Sequence, residues 1–256
     1  MNGYLYKIES EFAIVYNEDK HISFPLSYFN ERNQELGFSI KSQLGGASTL
    51  LNAGKTTNFD YKIENLNLTT KQIAEINAID TRSKIKDKIE QISILKGKLL
   101  FYKVESSVFE NNLVLIDSAL PKIISEMLLL FFSSNLSKIS DLVAEIAKKN
   151  PLGYNLENNH PFYSYKIKRF LTDIALGMMP ATVWTGELDA TGGYLVVKED
   201  GEILCYHIYN RNEFENYLYA NTKLETASST RHRFGVVEVN NGQQIFKLNL
   251  QIRFVD

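Results

Sequence analysis

The 256-residue chain is 44% hydrophobic and 23% charged, with 28 Lys plus Arg against 30 Asp plus Glu and a formal net charge of −2. That balance fits one large globular domain, or one with a smaller appendage, and excludes a broadly cationic histone-like or sliding-clamp coat; a local basic cleft remains compatible with it. A single cysteine, Cys205, excludes an internal disulfide and a cysteine-rich zinc site, and its apolar surroundings predict a buried, reduced thiol.

The opening MNGYLYKIESEF lacks the cationic start and apolar core of a signal peptide. The longest apolar run, MLLLFF at 127–132, is too short to span a bilayer. Both point to a cytoplasmic protein with no membrane partner. EFAIVYNEDKHISFP then reads as a β-hairpin around the polar turn Asn17-Glu18-Asp19-Lys20. ELGFSIKS alternates, with Phe38 and Ile40 on one face and Ser39 and Lys41 on the other. TTNFDYKIE is the expected partner strand. Between them, 43–55 is rich in Gly, Ser and Asn yet carries Thr49-Leu50-Leu51, a mixture that suits an ordered loop.

A helical middle follows. LTTKQIAEINAI offers Thr69 as N-cap and Gln72 three residues on, a capping box. TRSKIKDKIEQISILKG places Ile85, Ile89, Ile92 and Leu95 at helical spacing and stops at Gly97. KLLFYKV reads as a strand. Two or three helices are predicted over 108–149, ended by Pro151, and another over 161–176, ended by Gly177. From Gly192 the period returns to two. GGYLVVKEDGEILCYHIY forms a hairpin around Asp200-Gly201, NEFENYLYANT a short helix, and KLETASSTRHRFG an irregular stretch. A last hairpin turns at Asn240-Asn241-Gly242. The expected class is mixed α and β (α/β, α+β in order), with a hairpin and linker over 1–34 and the larger unit over 35–256.

Two motifs compete in residues 37–59. AGKTT resembles the tail of a phosphate loop, but that loop needs a glycine where Thr49 stands and a helix where the β-branched, aromatic TTNFDYKI follows. No nucleotide cofactor is expected. Ser39-Ile40-Lys41 has the spacing of an acid and lysine on a nuclease strand of the PD-(D/E)xK kind, with serine in the acid slot. Counting by twos puts Glu35 and Gln43 on the lysine side. A lone SxK is also what a solvated strand lysine looks like.

A resemblance over most of the chain favours the nuclease reading. LGFSIKSQLG, STLLNAGKTTNF, GGYLVVKEDGEILCYHIYNRNEFENYL, TKLET, SSTRHRFG and KLNLQIRF, in that order, resemble type II restriction endonucleases of the HpaII family. Enzymes of that family recognise and cleave CCGG. The resemblance implies a restriction-endonuclease-like core sheet flanked by helices and a homodimer on double-stranded DNA. It also implies Mg2+-dependent hydrolysis within a restriction-modification system, with Lys41 acting on the scissile phosphate. In some other CCGG cutters a serine stands in the acid slot, as Ser39 does here. Family members carry a longer, aspartate-bearing segment ahead of this strand, whereas here FPLSYFNE runs almost directly into RNQELGF. The metal-binding acid then falls to Glu35 first, with Glu18, Asp19, Glu31, Asp60 and Glu64 as the other acids, or the chain is a shortened DNA-binding relative without catalysis.

In SSTRHRFG, Arg231 or Arg233 is placed to read guanine O6 and N7 in pairs, with His232, Ser228, Ser229 and Thr230 on bases or phosphates. The plain alternative is a solvated turn. Thr49, Asn52, Lys55 and Asn58 are candidate DNA contacts beside the lysine strand, or else loop residues in which Asn52 and Asn58 bond the backbone. Arg211 is a candidate for the DNA backbone, with Asn210 equally placed as a helix N-cap. Lys84, Lys86 and Lys88 read as a wet helix face and Lys166, Lys168 and Arg169 as a surface stripe. His21, His160 and His207 lack metal-ligand spacing.

Overall fold

The computed structural model describes residues 12–17, 20–25, 38–42, 48–188, 190, 192–198, 200–207 and 211–255. Strands β1 (Phe12–Asn17) and β2 (Lys20–Pro25) form the expected antiparallel hairpin, whose turn residues Glu18 and Asp19 lie outside the described residues. β3 (Phe38–Ser42) and β4 (Thr49–Leu51) follow, and then β5 (Asn58–Glu64), which is buried along nearly its whole length.

The helical middle matches its sequence signals. Helix α1 (Thr70–Asn77) opens with the capping box: Gln72 N donates to the Thr69 hydroxyl at 3.3 Å, and Thr69 N donates to Gln72 Oε1 at 2.9 Å. α2 (Lys84–Ile94) stops before Gly97, where a Cβ would fall 2.9 Å from Ile92 Cγ2. β6 (Lys98–Val104) leads to three helices, α3 (Ser107–Ile116), α4 (Leu120–Ser133) and α5 (Ile139–Lys149), and α6 (Phe162–Ala175) completes the group. α4 is the central one. It buries Leu120, Ile123, Ile124, Met127, Leu128 and Phe132 against the sheet and its neighbouring helices. Each such side chain contributes about 1.5–3 kcal/mol by leaving water.

After α6 come the hairpin β7 (Gly193–Val197) and β8 (Ile203–His207), helix α7 (Arg211–Ala220), β9 (Thr222–Leu224), the single helical turn α8 (Ser229–His232), and strands β10 (Val237–Asn240), β11 (Gln243–Asn249) and β12 (Ile252–Phe254). The 223–235 stretch, expected to be irregular, therefore contains a short strand and a capped turn. Among the described residues the strands divide into four small sheets, β1-β2, β10-β11-β5-β6, β4-β12-β9 and β3-β7-β8. The class is mixed α and β, as expected.

One pairing differs from expectation. β5 does not pair with the Lys41 strand, because both of its edges are occupied, by β6 on one side and β11 on the other. β3 instead lies parallel to β7, with Ser39 opposite Tyr194 and Lys41 opposite Val196. Parallel neighbours need a long crossover, and here residues 48–188 supply it. An aromatic series, Tyr194–Phe214 at 4.8 Å, Phe214–Tyr206 at 5.7 Å, Tyr206–Tyr217 at 5.0 Å and Tyr217–Phe254 at 6.3 Å, joins the β3-β7-β8 sheet to β12. Among the described residues no helix is long and apolar enough to cross a membrane.

Candidate functional site

Lys41 lies on the more covered face of its strand. Its register neighbour Val196 and the adjacent Tyr194 are fully buried, whereas Ile40, on the opposite face, is 39% exposed. The polar side of FSIKS is thus the enclosed side, contrary to a solvated-lysine reading. Lys41 is half-buried, and burial alone lowers its pKa from the ordinary lysine value. It has no hydrogen-bond or ion-pair partner among the described residues. Ser39, two residues earlier, is also half-buried. Glu35 and Gln43 lie outside the described residues, as does Glu31. The three strands β3, β7 and β8 contain no Asp or Glu. Asp60 belongs to a different sheet, and Glu64 is exposed at the end of β5.

The segments 48–58 and 228–235 are brought together through buried side chains. AGKTT makes one 3₁₀ turn (Lys55–Thr57) closed by Thr57 Oγ1 and runs directly into β5, where a phosphate loop would open a helix. Asn52 and Lys55 are exposed, and Thr49 is half-buried in β4 opposite Arg253. Asn58 is 0% exposed. Its Nδ2 donates to the His232 carbonyl at 2.9 Å and to Glu105 Oε2 at 2.8 Å, and its Oδ1 accepts from Asn249 Nδ2 at 2.7 Å. That removes Asn58 from any surface a ligand could touch and favours the backbone-bonding alternative for it.

In the 228–235 segment the Ser228 hydroxyl accepts from Arg231 N at 3.4 Å, capping the turn. Ser228, Thr230, Arg231 and Arg233 are exposed, while Ser229 and His232 are half-buried. Arg233 takes the left-handed conformation at φ 55°, and the chain turns inward through buried Phe234 to Gly235. Gly235 N donates to Lys247 O at 2.9 Å, and Lys88 Nζ donates to Gly235 O at 3.0 Å. Lys88 is therefore an interior residue and not part of a wet face. Its position was legible: it stands three residues after buried Ile85 and four before buried Ile92, on the same helical stripe.

Sequence reasoning also missed the charges behind this segment. Lys247 Nζ reaches Glu105 Oε1 at 3.0 Å and Glu238 Oε2 at 3.5 Å, and its register partner across β5 is Asp60. Burial raises the Asp60 pKa, Glu105 and Glu238 add to this, and Lys247 and Lys103 oppose it. Strand alternation gives the only signal, since Lys247 and Asn249 share the face opposite core residues Phe246 and Leu248.

Four further candidate cations are tied to the protein. Arg211 opens α7 with Nε 2.8 Å from Glu215 Oε1, and Asn210 lies outside the described residues. Lys166 pairs with Asp117, Lys168 bonds Asn216 at 2.5 Å, and Arg169 approaches Glu215 at 3.8 Å. Asp173, beside Glu215 between α6 and α7, is buried, and burial and then Glu215 raise its pKa from 3.8 to about 7. Cys205 is free and half-buried on β8, less enclosed than its apolar neighbours implied.

A sequence profile of the HpaII restriction endonuclease family matches residues 10–254. The chain is 59% identical over 220 residues to type II restriction enzyme HpaII of Haemophilus parainfluenzae, an alignment covering 86% of this chain and 60% of that enzyme. The chain thus spans about 60% of the length of the curated relative it matches. No solved structure matches it.

Proposed function

The chain belongs to the HpaII restriction endonuclease family, and from that membership we propose that it is a type II restriction endonuclease. It binds duplex DNA as a homodimer at a CCGG-type palindrome and hydrolyses one phosphodiester in each strand with Mg2+. The mixed α/β architecture with several small sheets is consistent with a restriction-endonuclease-like fold.

The observation that carries this reading is Lys41. A cation withdrawn from water without an anion of its own is costly to keep charged. An approaching phosphodiester supplies an anion and restores the ammonium form. Placed there, the ammonium orients the attacking water and offsets charge growing on the pentacovalent phosphorus. Exposed Asn52, Lys55, Ser228 and Thr230 serve as phosphate contacts, and Arg231 or Arg233 as the bidentate partner of guanine.

The metal is a separate matter. Among the described residues no group of three or more His, Cys, Asp or Glu could hold a metal ion, and the strands beside Lys41 carry no carboxylate. Within the proposal the Mg2+ ligand is Glu35, outside the described residues. The same lack of a carboxylate on β3, β7 and β8 favours a second reading, a DNA-binding relative without catalysis. Digestion of CCGG-containing plasmid with and without Mg2+, beside a gel shift in Ca2+, separates the two. Mg2+-dependent cutting is expected, with Lys41→Ala abolishing it while leaving the shift intact. A shift without cutting by the unmodified chain selects the second reading, and cutting unchanged by Lys41→Ala removes the lysine from the mechanism.

A further inference from the structure

The carbonyls at the end of a helical turn have no partner within it and must find one elsewhere. In the Ser229–His232 turn, the His232 carbonyl finds Asn58, whose side chain is enclosed and fully bonded. An amide has two N–H donors and one oxygen. Here the donors serve His232 O and Glu105 Oε2, and the oxygen serves Asn249. Asn249 Nδ2 in turn reaches Gly54 O at 2.7 Å and Thr57 Oγ1 at 3.2 Å. A continuous chain of hydrogen bonds thus runs from the turn that carries Lys55 to the turn that carries Arg231. Neither turn pairs with the other through its own backbone in a strand ladder.

We infer that Asn58 is a positioning residue, which holds the His232 carbonyl and thereby sets the Arg231–Arg233 segment at a fixed offset from the Lys55 turn. Bidentate readout of a base requires a guanidinium held to within a fraction of an ångström, whereas a phosphate contact tolerates more play. Loss of Asn58 therefore reduces discrimination between sequences and leaves general DNA affinity nearly intact. Loss of an exposed contact such as Lys55 does the reverse. This rests on the restriction-enzyme reading for its DNA half. The tether itself does not.

Asn58→Ala removes every bond of the amide, and Asn58→Asp keeps the shape while setting a carboxylate against the His232 carbonyl and Glu105. For each, binding to a CCGG duplex and to a duplex with one altered base is measured in Ca2+. The rate of native-state trypsin cleavage after Arg231 and Arg233, relative to Lys96, is measured alongside. The cognate preference is expected to fall about tenfold or more, with binding to the altered duplex held within about twofold. Cleavage after Arg231 and Arg233 is expected to rise selectively. A folded variant that keeps the preference, loses both duplexes in proportion, or shows no selective rise in cleavage overturns the inference. If neither variant folds, Asn249→Ala, which cuts the same chain of bonds at its next link, takes the same readouts with the same consequences. An unmodified chain that prefers neither duplex would sink the restriction-enzyme reading, and the trypsin arm would still decide whether Asn58 holds the segment.

Discussion

Two regions enclose lysines and treat them in opposite ways. Behind the 228–235 segment, Lys88 and Lys247 are buried and each is partnered, Lys88 by the Gly235 carbonyl and Lys247 by Glu105 and Glu238. On the β3-β7-β8 sheet, Lys41 is half-buried and has no partner among the described residues. A buried cation with its bonds made belongs to the framework. One left without them keeps its desolvation cost, which fits the role proposed for Lys41.

The sharpest break of the partnered region is Gly235→Ala. Gly235 sits at φ +73°, and an added Cβ would lie 2.0 Å from Ile85 Cδ1, so strain and overlap combine. We expect a loss of about 3 kcal/mol or more, read from chemical denaturation. A change under 1 kcal/mol would mean the segment is not anchored there.

A matched pair tests the comparison itself. Lys88→Met orphans the Gly235 carbonyl and should cost about 2 kcal/mol. Lys41→Met removes an unpartnered half-buried charge and should leave stability unchanged or raise it by up to about 1 kcal/mol. Equal losses from the two substitutions would erase the distinction.

A pH-dependent effect lies between α6 and α7. The folded protein holds the Asp173 proton with a pKa of about 7 against the ordinary 3.8. The folded state therefore binds more protons than the unfolded chain between these values, and the contribution of Asp173 to stability is lost as pH rises through that window. Asp173→Asn should flatten this slope and exceed the unmodified chain by about 1–2 kcal/mol at pH 8. Parallel stability–pH curves for the two proteins would refute the assignment.

Much of this arrangement is readable from short-range pattern. The Thr69–Gln72 capping box, the Asp200-Gly201 and Asn240-Asn241-Gly242 turns and the stop at Gly97 all depend on residues within a few positions, and each appears where its pattern places it. The family is less legible in the SxK spacing than in the ordered blocks from LGFSIKSQLG to KLNLQIRF. The charge of Lys88 points to a wet face, whereas the helical stripe on which it lies, with Ile85 and Ile92, is buried. The pairing of the Lys41 strand does not follow from adjacency in sequence, because its partner, β7, lies beyond the whole helical middle.

Local chemistry alone therefore accounts for most of the elements and several of their caps and turns, though not for the short strands at Thr49–Leu51 and Thr222–Leu224 or the turn at Ser229–His232. Whether a given polar side chain faces a ligand or a neighbour is set by contacts across the fold, because a buried donor bonds whatever acceptor packing brings within 3 Å. Asn58 meets the His232 carbonyl from 174 positions away, and Lys88 meets Gly235 from 147. Lys41 meets no such neighbour among the described residues, and that difference separates it from the lysines of the scaffold.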